Sequence, residues 1–378
     1  MRALVVFPFI IDPEGGAAAR CGIGLLRGLA ECGVEAHALV GGLEGRQAPE
    51  PPAGLSVETV GCREPSLARD RFDRFARPYS TMARGIFLRT LRERARTADV
   101  VHLVGVDAGS LLPHLDRPAL AQLDCVTERD RDIGHLWSRQ ARTTIELLRA
   151  ERRTVRRARW VLASSEEVAD WFRAARPALD VTFAPLALDP SAYGARGGPR
   201  APVAGLIGTA GWPPTANAVE RLLGTIWPRV LERAPDARLR LAGRGMQPAS
   251  FAGVPTDLPG VEWLGEVPSA VGFLREIGLL VYPLGRGSGA KIKVLEALAC
   301  GVPVVTTPDG AEGIGAHGGL AVHASDGALV DATVALIESE RARLAAGREA
   351  AATFDAFHTP EVAARPVVEL YRRMASAT

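Results

Sequence analysis

Short apolar, β-branched runs alternate with helical stretches and glycine-bearing loops along nearly the whole chain. This alternation limits the fold more than any other feature. Ala3–Phe9 reads as a strand, Ile11–Gly16 as the loop after it, and Ala17–Cys32 as a helix with Ile23, Leu26 and Ala30 on one side. Gly33 is its C-cap and Val34–Val40 the next strand. Strand, glycine loop, helix, strand is a βαβ unit and implies a parallel sheet. Asp99–Gly105, Ala119–Leu123, Trp160–Ser165 and Val181–Leu186 continue the series, with Ser165 as the N-cap of the helix behind it. Residues 41–65 read as loop, with prolines and glycine at 48–54.

The pattern is interrupted at residues 189–202, whose glycines and prolines mark a linker, and then starts again. Val203–Ile207 is a strand, Gly208–Pro214 a turn, and a helix runs from Asn217. Leu239–Gly243, Val261–Leu264 and Leu279–Pro283 are further strands. At 378 residues the chain accommodates two such domains, 1–188 and 203–358, with a final helical segment at 359–378.

The second domain holds the most informative stretch, GRGSGAKIKVLEALACGVPVVTTPDGAEGIG at 285–315. Gly285–Gly289 is a glycine loop that tolerates close backbone approach. Ile292–Cys300 is a helix stopped by Gly301, Val302–Thr307 a strand, and Pro308–Gly315 a second flexible loop, so both loops can face one ligand. Lys291 and Lys293 are the only lysines among 45 basic residues. An ammonium is a compact point charge, and two of them at a helix N-terminus suit a phosphate or diphosphate. Glu296, one turn beyond Lys293, either pairs with the lysines or accepts from a ribose diol, as acids do in dinucleotide sites. Together these residues point to a nucleoside diphosphate.

The run GSGAKIKVLEALACGVPVV followed by GAEGI resembles the donor-binding signature of family 4 glycosyltransferases, in the branch with a Gly-x-Gly-x-Lys-x-Lys-x-Leu-Glu-Ala motif. The resemblance implies the GT-B fold, two Rossmann-like domains with parallel sheets facing across a cleft. It implies a nucleotide-sugar donor held mainly by the second domain and a hydroxyl acceptor held mainly by the first. Transfer would retain anomeric configuration and need no metal or further cofactor. Glu296 would hold the ribose and the lysines the diphosphate. Gly287, Ser288, Gly289, Glu312 and Gly313 would lie close to the donor. A glycine pair, Gly15 and Gly16, occupies a position that relatives also place near the diphosphate. The chain departs from the broad family at Ser288, where a second acid normally stands. It departs again at 208–217, which reads GTAGWPPTAN and lacks the usual Arg and Lys. The lysine pair replaces that charge.

Departure of a nucleoside diphosphate builds negative charge on phosphate oxygens, which preorganised cations and amides stabilise. Lys291, with the glycine-loop amides, is the candidate for that role. Asp124, at the end of a parallel strand, is a candidate contact to acceptor or sugar. His102 is either a core histidine or the counterpart of a sugar-contacting histidine in relatives. The same residues also fit a nucleotide-sugar epimerase, or a non-catalytic nucleotide-sugar-binding partner that keeps the fold. A phosphorylase would need a lysine for pyridoxal phosphate, and only the loop pair exists.

The net charge of +2 argues against nucleic acid as a partner. Five cysteines without a CxxC fit a reducing cytoplasm better than a disulfide framework. The start, Arg2 then ALVVFPFII, imitates a signal peptide but is short and broken by Pro8, so it reads as a buried strand. No apolar run spans a bilayer. Ten arginines between Arg63 and Arg96 are interleaved with Phe72, Phe75, Tyr79, Phe87 and Leu91, and Arg152, Arg156 and Arg159 share one helical face. Such a pattern makes a solvated helix pair with its apolar side packed, or a surface for peripheral contact with an anionic membrane or acceptor.

Overall fold

The structure is a computed structural model and describes residues 1–12, 15–43, 50–62, 82, 85–131, 139–194, 196 and 201–377. The chain divides into two units, Met1–Asp189 together with Thr359–Thr378, and Pro190–His358.

The first unit is built on seven parallel strands: β1 (Arg2–Phe7), β2 (Glu35–Leu43), β3 (Ser56–Cys62), β4 (Val100–Val104), β5 (Ala119–Leu123), β6 (Trp160–Ala163) and β7 (Asp180–Phe183). Their order across the sheet is β3-β2-β1-β4-β5-β6-β7. The β-branched, uninterrupted runs of β1 and β4 are buried along almost their whole length, as strands covered on both faces are. On one face the helix Ala17–Glu31 and the last helix, Pro360–Ser376, pack Ile23, Leu26, Leu29, Val367, Leu370, Tyr371 and Met374 against Val5 and Phe7. On the other, Phe87 and Leu91 of the helix Gly85–Ala95 cover Leu4, Val6 and Leu103. Each such aliphatic or aromatic side chain contributes roughly 1.5–3 kcal/mol when fully buried. Gly24 and Gly28 let the first helix approach backbone closely. A Cβ on Gly28 would lie 2.0 Å from the Pro360 carbonyl oxygen.

The second unit carries six parallel strands: β8 (Val203–Ile207), β9 (Arg238–Ala242), β10 (Val261–Gly265), β11 (Leu279–Tyr282), β12 (Val304–Thr306) and β13 (Leu320–Val322). Their order is β10-β9-β8-β11-β12-β13. In both sheets the chain winds outwards one way and then the other. The reversal falls between β1 and β4 in the first and between β8 and β11 in the second. Loops diverge at such a point and leave a crevice at the strand carboxyl ends.

Three sequence expectations are corrected. Residues 56–62, read as loop, form edge strand β3. Its side chains are only half-covered, and Pro51, Pro52 and Gly54 just before it mask the strand signal. Pro308–Gly315 is not all loop, because Pro308–Ala311 is a helical turn capped by the Thr307 hydroxyl on Gly310 N–H at 3.1 Å. The 189–202 linker begins with a short 3-10 turn, Pro190–Tyr193, whose Tyr193 is fully buried within the second unit. Edge strand β13 was not anticipated at all; three residues are too few to show a period. Of the arginine-rich segment, Arg63, Arg69, Arg71, Arg74, Arg77 and Arg84, with Phe72, Phe75 and Tyr79, lie outside the described residues. Among the described residues no helix is long and apolar enough to cross a membrane.

Candidate functional site

In the second unit the site residues gather at the carboxyl ends of β8, β11 and β12. The turns after β8, β9 and β10 stack backbone on backbone. Gly208 N–H donates to the Ala242 carbonyl at 2.9 Å, and Gly243 N–H to the Gly265 carbonyl at 2.6 Å. Gly243 has φ +125°, and a Cβ there would sit 2.0 Å from the Gly208 oxygen, so only glycine fits. The helix Pro213–Arg221 starts beside these turns with proline in its first turn, where a missing N–H costs nothing.

Lys293 reaches into this corner. Its Nζ donates to Thr215 Oγ1 at 2.7 Å, stands 3.4 Å from Tyr282 Oη and lies 4.4 Å over the Tyr282 ring. A Cβ on Gly208 would be 3.0 Å from the same nitrogen. The ammonium thus sits at the reversal point between β8 and β11. Burial, then repulsion from Lys291, push its pKa down to about 7 against the opposing pull of Glu296. Lys291, itself buried, is the N-cap residue of the helix Ile292–Ala299, and its Nζ donates to the Gly289 carbonyl. No side chain caps that helix start.

The two loops predicted to face one ligand are tied to each other. Gly289, at φ +70°, donates its N–H to Glu312 Oε1 at 2.8 Å, and Thr307 Oγ1 donates to the Leu284 carbonyl at 2.6 Å. Ser288 and Glu312 are both buried, Gly313 adopts φ +77°, and a Cβ on Gly287 would press on Leu284 at 3.0 Å. Glu296 is 3% exposed and accepts from the Tyr193 hydroxyl at 3.1 Å; the Tyr193 carbonyl is held by Arg275 Nη2 at 2.6 Å.

The remaining candidates lie in the first unit. Gly16 is the N-cap residue of the helix Ala17–Glu31 after β1, with no side-chain cap and nothing within 4 Å of where a Cβ would stand. Asp124 follows β5 and is half-buried; burial pushes its carboxyl up to about 6, opposed by Gln122, whose Nε2 donates to its two oxygens at 2.9 and 3.0 Å. Asp107, after β4, is likewise pushed up to about 6 by burial. His102 is not on the carboxyl edge. It is fully buried within β4, its Nδ1 2.7 Å from Tyr371 Oη and its Nε2 2.9 Å from Gln122 Oε1, and burial lowers its pKa to about 3.

Sequence reasoning missed Tyr193, Thr215, Asn217 and Gly208 as site residues. Asn217 Oδ1 accepts from Gly285 N–H at 2.8 Å and so anchors the glycine loop. Gly208, Thr215 and Asn217 fall in GTAGWPPTAN, where a glycine directly after a strand and a Pro-Pro helix start were the available signals.

Residues 201–339 match the model of a family described as glycosyl transferases group 1. That span contains every second-unit residue described above except Tyr193. The protein is a transferase. It has the GT-B fold. A sucrose-phosphate synthase from Thermosynechococcus elongatus superposes with a TM-score of 0.71 at 14% identity, over 100% of each chain. Anabaena Alr3699/HepE in complex with UDP and glucose gives 0.63 at 16% identity, over 98% of this chain and 99% of that one. The α,α-trehalose 6-phosphate synthase from Burkholderia multivorans gives 0.63 at 14% identity, over 100% and 97%. No curated protein sequence matches the chain.

Proposed function

We propose that the protein moves a sugar from a nucleotide-diphosphate sugar to an acceptor hydroxyl, on a polysaccharide, a lipid-linked glycan or a small natural product. The observation that carries this reading is Lys293 Nζ, seated between Thr215 and the Tyr282 ring at the strand-order reversal and flanked by the uncapped helix start at Lys291. A diphosphate brought there meets an ammonium and the positive end of a helix together. As the sugar leaves, charge builds on the diphosphate, and Lys293 and Lys291 stabilise it, the Gly289 amide being held by Glu312. Glu296 takes the ribose hydroxyls. Gly313 and Glu312 line the donor from the β12 loop. In the first unit, Gly16 is the candidate for a donor contact and Asp124 for a contact with the acceptor or the sugar.

Transfer proceeds with retention and without a metal or further cofactor, in a reducing compartment. Anabaena Alr3699/HepE, crystallised with UDP and glucose, supports a nucleoside diphosphate as the leaving group. Arg152 and Arg156, exposed on the helix Arg139–Arg157, are the surface that an anionic acceptor or membrane would meet; Arg159 lies past the helix end, over the Trp160 ring.

Thermal-shift screening against UDP, GDP, ADP and dTDP and their sugars, on wild type and Lys293→Ala, tests the reading. One nucleotide is expected to raise Tm in wild type and not in the variant. No stabilisation at millimolar ligand sinks it. Turnover of the sugar nucleotide without acceptor points instead to an epimerase, and binding without turnover to a non-catalytic role.

A further inference from the structure

Tyr371, on the last helix, is joined to Asp124, at the end of β5, by two buried side chains that the chemistry above does not use. Tyr371 Oη lies 2.7 Å from His102 Nδ1, His102 Nε2 lies 2.9 Å from Gln122 Oε1, and Gln122 Nε2 lies 2.9 and 3.0 Å from the two Asp124 oxygens. We propose that Tyr371, His102 and Gln122 are positioning residues that orient Asp124 as an ionised hydroxyl acceptor, through one hydrogen-bonded line in which every donor points towards that carboxylate. What Asp124 touches rests on the transferase reading; the line itself rests on geometry alone.

The direction follows from the end group. An ionised carboxylate only accepts, so the Gln122 amide turns its nitrogen to Asp124 and its oxygen to His102. His102 then carries its proton on Nε2, and its bare Nδ1 accepts from the Tyr371 hydroxyl. Burial keeps the imidazole neutral and the phenol protonated, so neither end of the line supplies a competing charge. The rings of His102 and Tyr371 meet edge to face, with centroids 5.9 Å apart. Bonds arranged head to tail polarise one another, and the benefit is delivered at the last acceptor. Among the described residues Gln122 is the donor to the Asp124 carboxyl. Cys125 follows Asp124, Asp130 ends the helical turn Thr127–Asp130 and Glu151 lies on the helix Arg139–Arg157; burial and these carboxyls push the Cys125 thiol well up and keep it neutral. The line therefore opposes burial, which alone pushes the Asp124 carboxyl up. It starts in the core and ends on a half-buried carboxylate at the carboxyl end of a parallel strand, where ligands of such sheets bind.

The test follows the Asp124 carboxyl by carbon-13 NMR and the histidine nitrogens by nitrogen-15 NMR in the full chain, with Asp124→Asn and His102→Asn identifying the signals. The expected result is a His102 proton on Nε2 and an Asp124 titration that moves to higher pH in Gln122→Met and, by less, in Tyr371→Phe. Tyr371→Phe removes one oxygen and serves where Gln122→Met fails to fold. A proton on Nδ1, or an Asp124 titration that neither variant moves, overturns the line. With the donor found by thermal shift, the pH profile of turnover separates positioning from mere support. In Gln122→Met the loss is expected on the acid limb, about tenfold per pH unit below the new value, with recovery at high pH. A loss equal at every pH overturns the positioning role. Failure of every nucleotide to bind would sink the transferase reading while leaving the NMR result to decide the line.

Discussion

The Tyr193 hydroxyl donates to the Glu296 carboxylate at 3.1 Å, and the two residues are 103 positions apart in the chain. Tyr193 stands just inside the second unit, close to where the chain leaves the first, so the segment read as a linker buttresses the acid proposed to hold ribose. Tyr193→Phe is expected to weaken a ribonucleoside diphosphate about tenfold, or about 1.4 kcal/mol. The 2′,3′-dideoxy analogue is expected to bind both proteins alike. Isothermal titration decides: equal losses for the two ligands would detach Glu296 from the ribose.

Lys293, lowered to about 7, is partly neutral at physiological pH in the empty site. An anionic ligand favours the ammonium and raises that value again. Binding of a nucleoside diphosphate is expected to take up a proton just above pH 7 and to weaken as pH rises further. Calorimetry in buffers of different ionisation enthalpy reads the uptake directly, and Lys293→Met abolishes it. Uptake that survives in the variant would assign the proton to another group.

Asp107 and Asp124 are both raised from 3.8 to about 6 by burial. Between those values the folded chain binds more protons than the unfolded chain, so their effect on stability worsens as pH rises through the window and is complete above about 6. Asp107→Asn and Asp124→Asn are therefore expected to melt above wild type near neutral pH. The gap closes as pH falls towards the ordinary carboxylate range. A gap that is constant with pH would mean the gain is not electrostatic.

Gly28→Ala sets a helix-propensity gain of about 1 kcal/mol against a clash. The new Cβ would lie 2.0 Å from the Pro360 oxygen and 2.8 Å from the Ala364 Cβ, at the start of the helix that carries Tyr371. Overpacking of that kind costs about 1–3 kcal/mol, so the clash outweighs the propensity. The urea midpoint is expected to fall. A rise would show that the last helix yields without cost.

What the sequence determined by itself is the local plan. Periodic apolar runs and glycine stops depend on neighbours a few residues away, so β1, β4, β8 and β11 and the helix Ile292–Ala299 could be read directly. So could the caps: Ser165 accepts from Val168 N–H at 3.0 Å, and Gly33 and Gly301 take the left-handed backbone expected of helix stops. The meeting of two lysines with a glycine loop was legible for the same reason, because charge type and glycine context lie in one short run. Edge strands β3 and β13 were not, since one is half-covered and the other only three residues long. Tertiary structure alone decided which partners each group meets. Lys293 finds Thr215 across 78 positions, and His102 finds Tyr371 across 269. Such pairings depend on strand order, which brings distant segments to one sheet edge and leaves no periodic trace in either segment. His102 reads as a strand residue with an ambiguous polar side chain until the last helix covers its face; Tyr371 then turns it into the middle of a buried line.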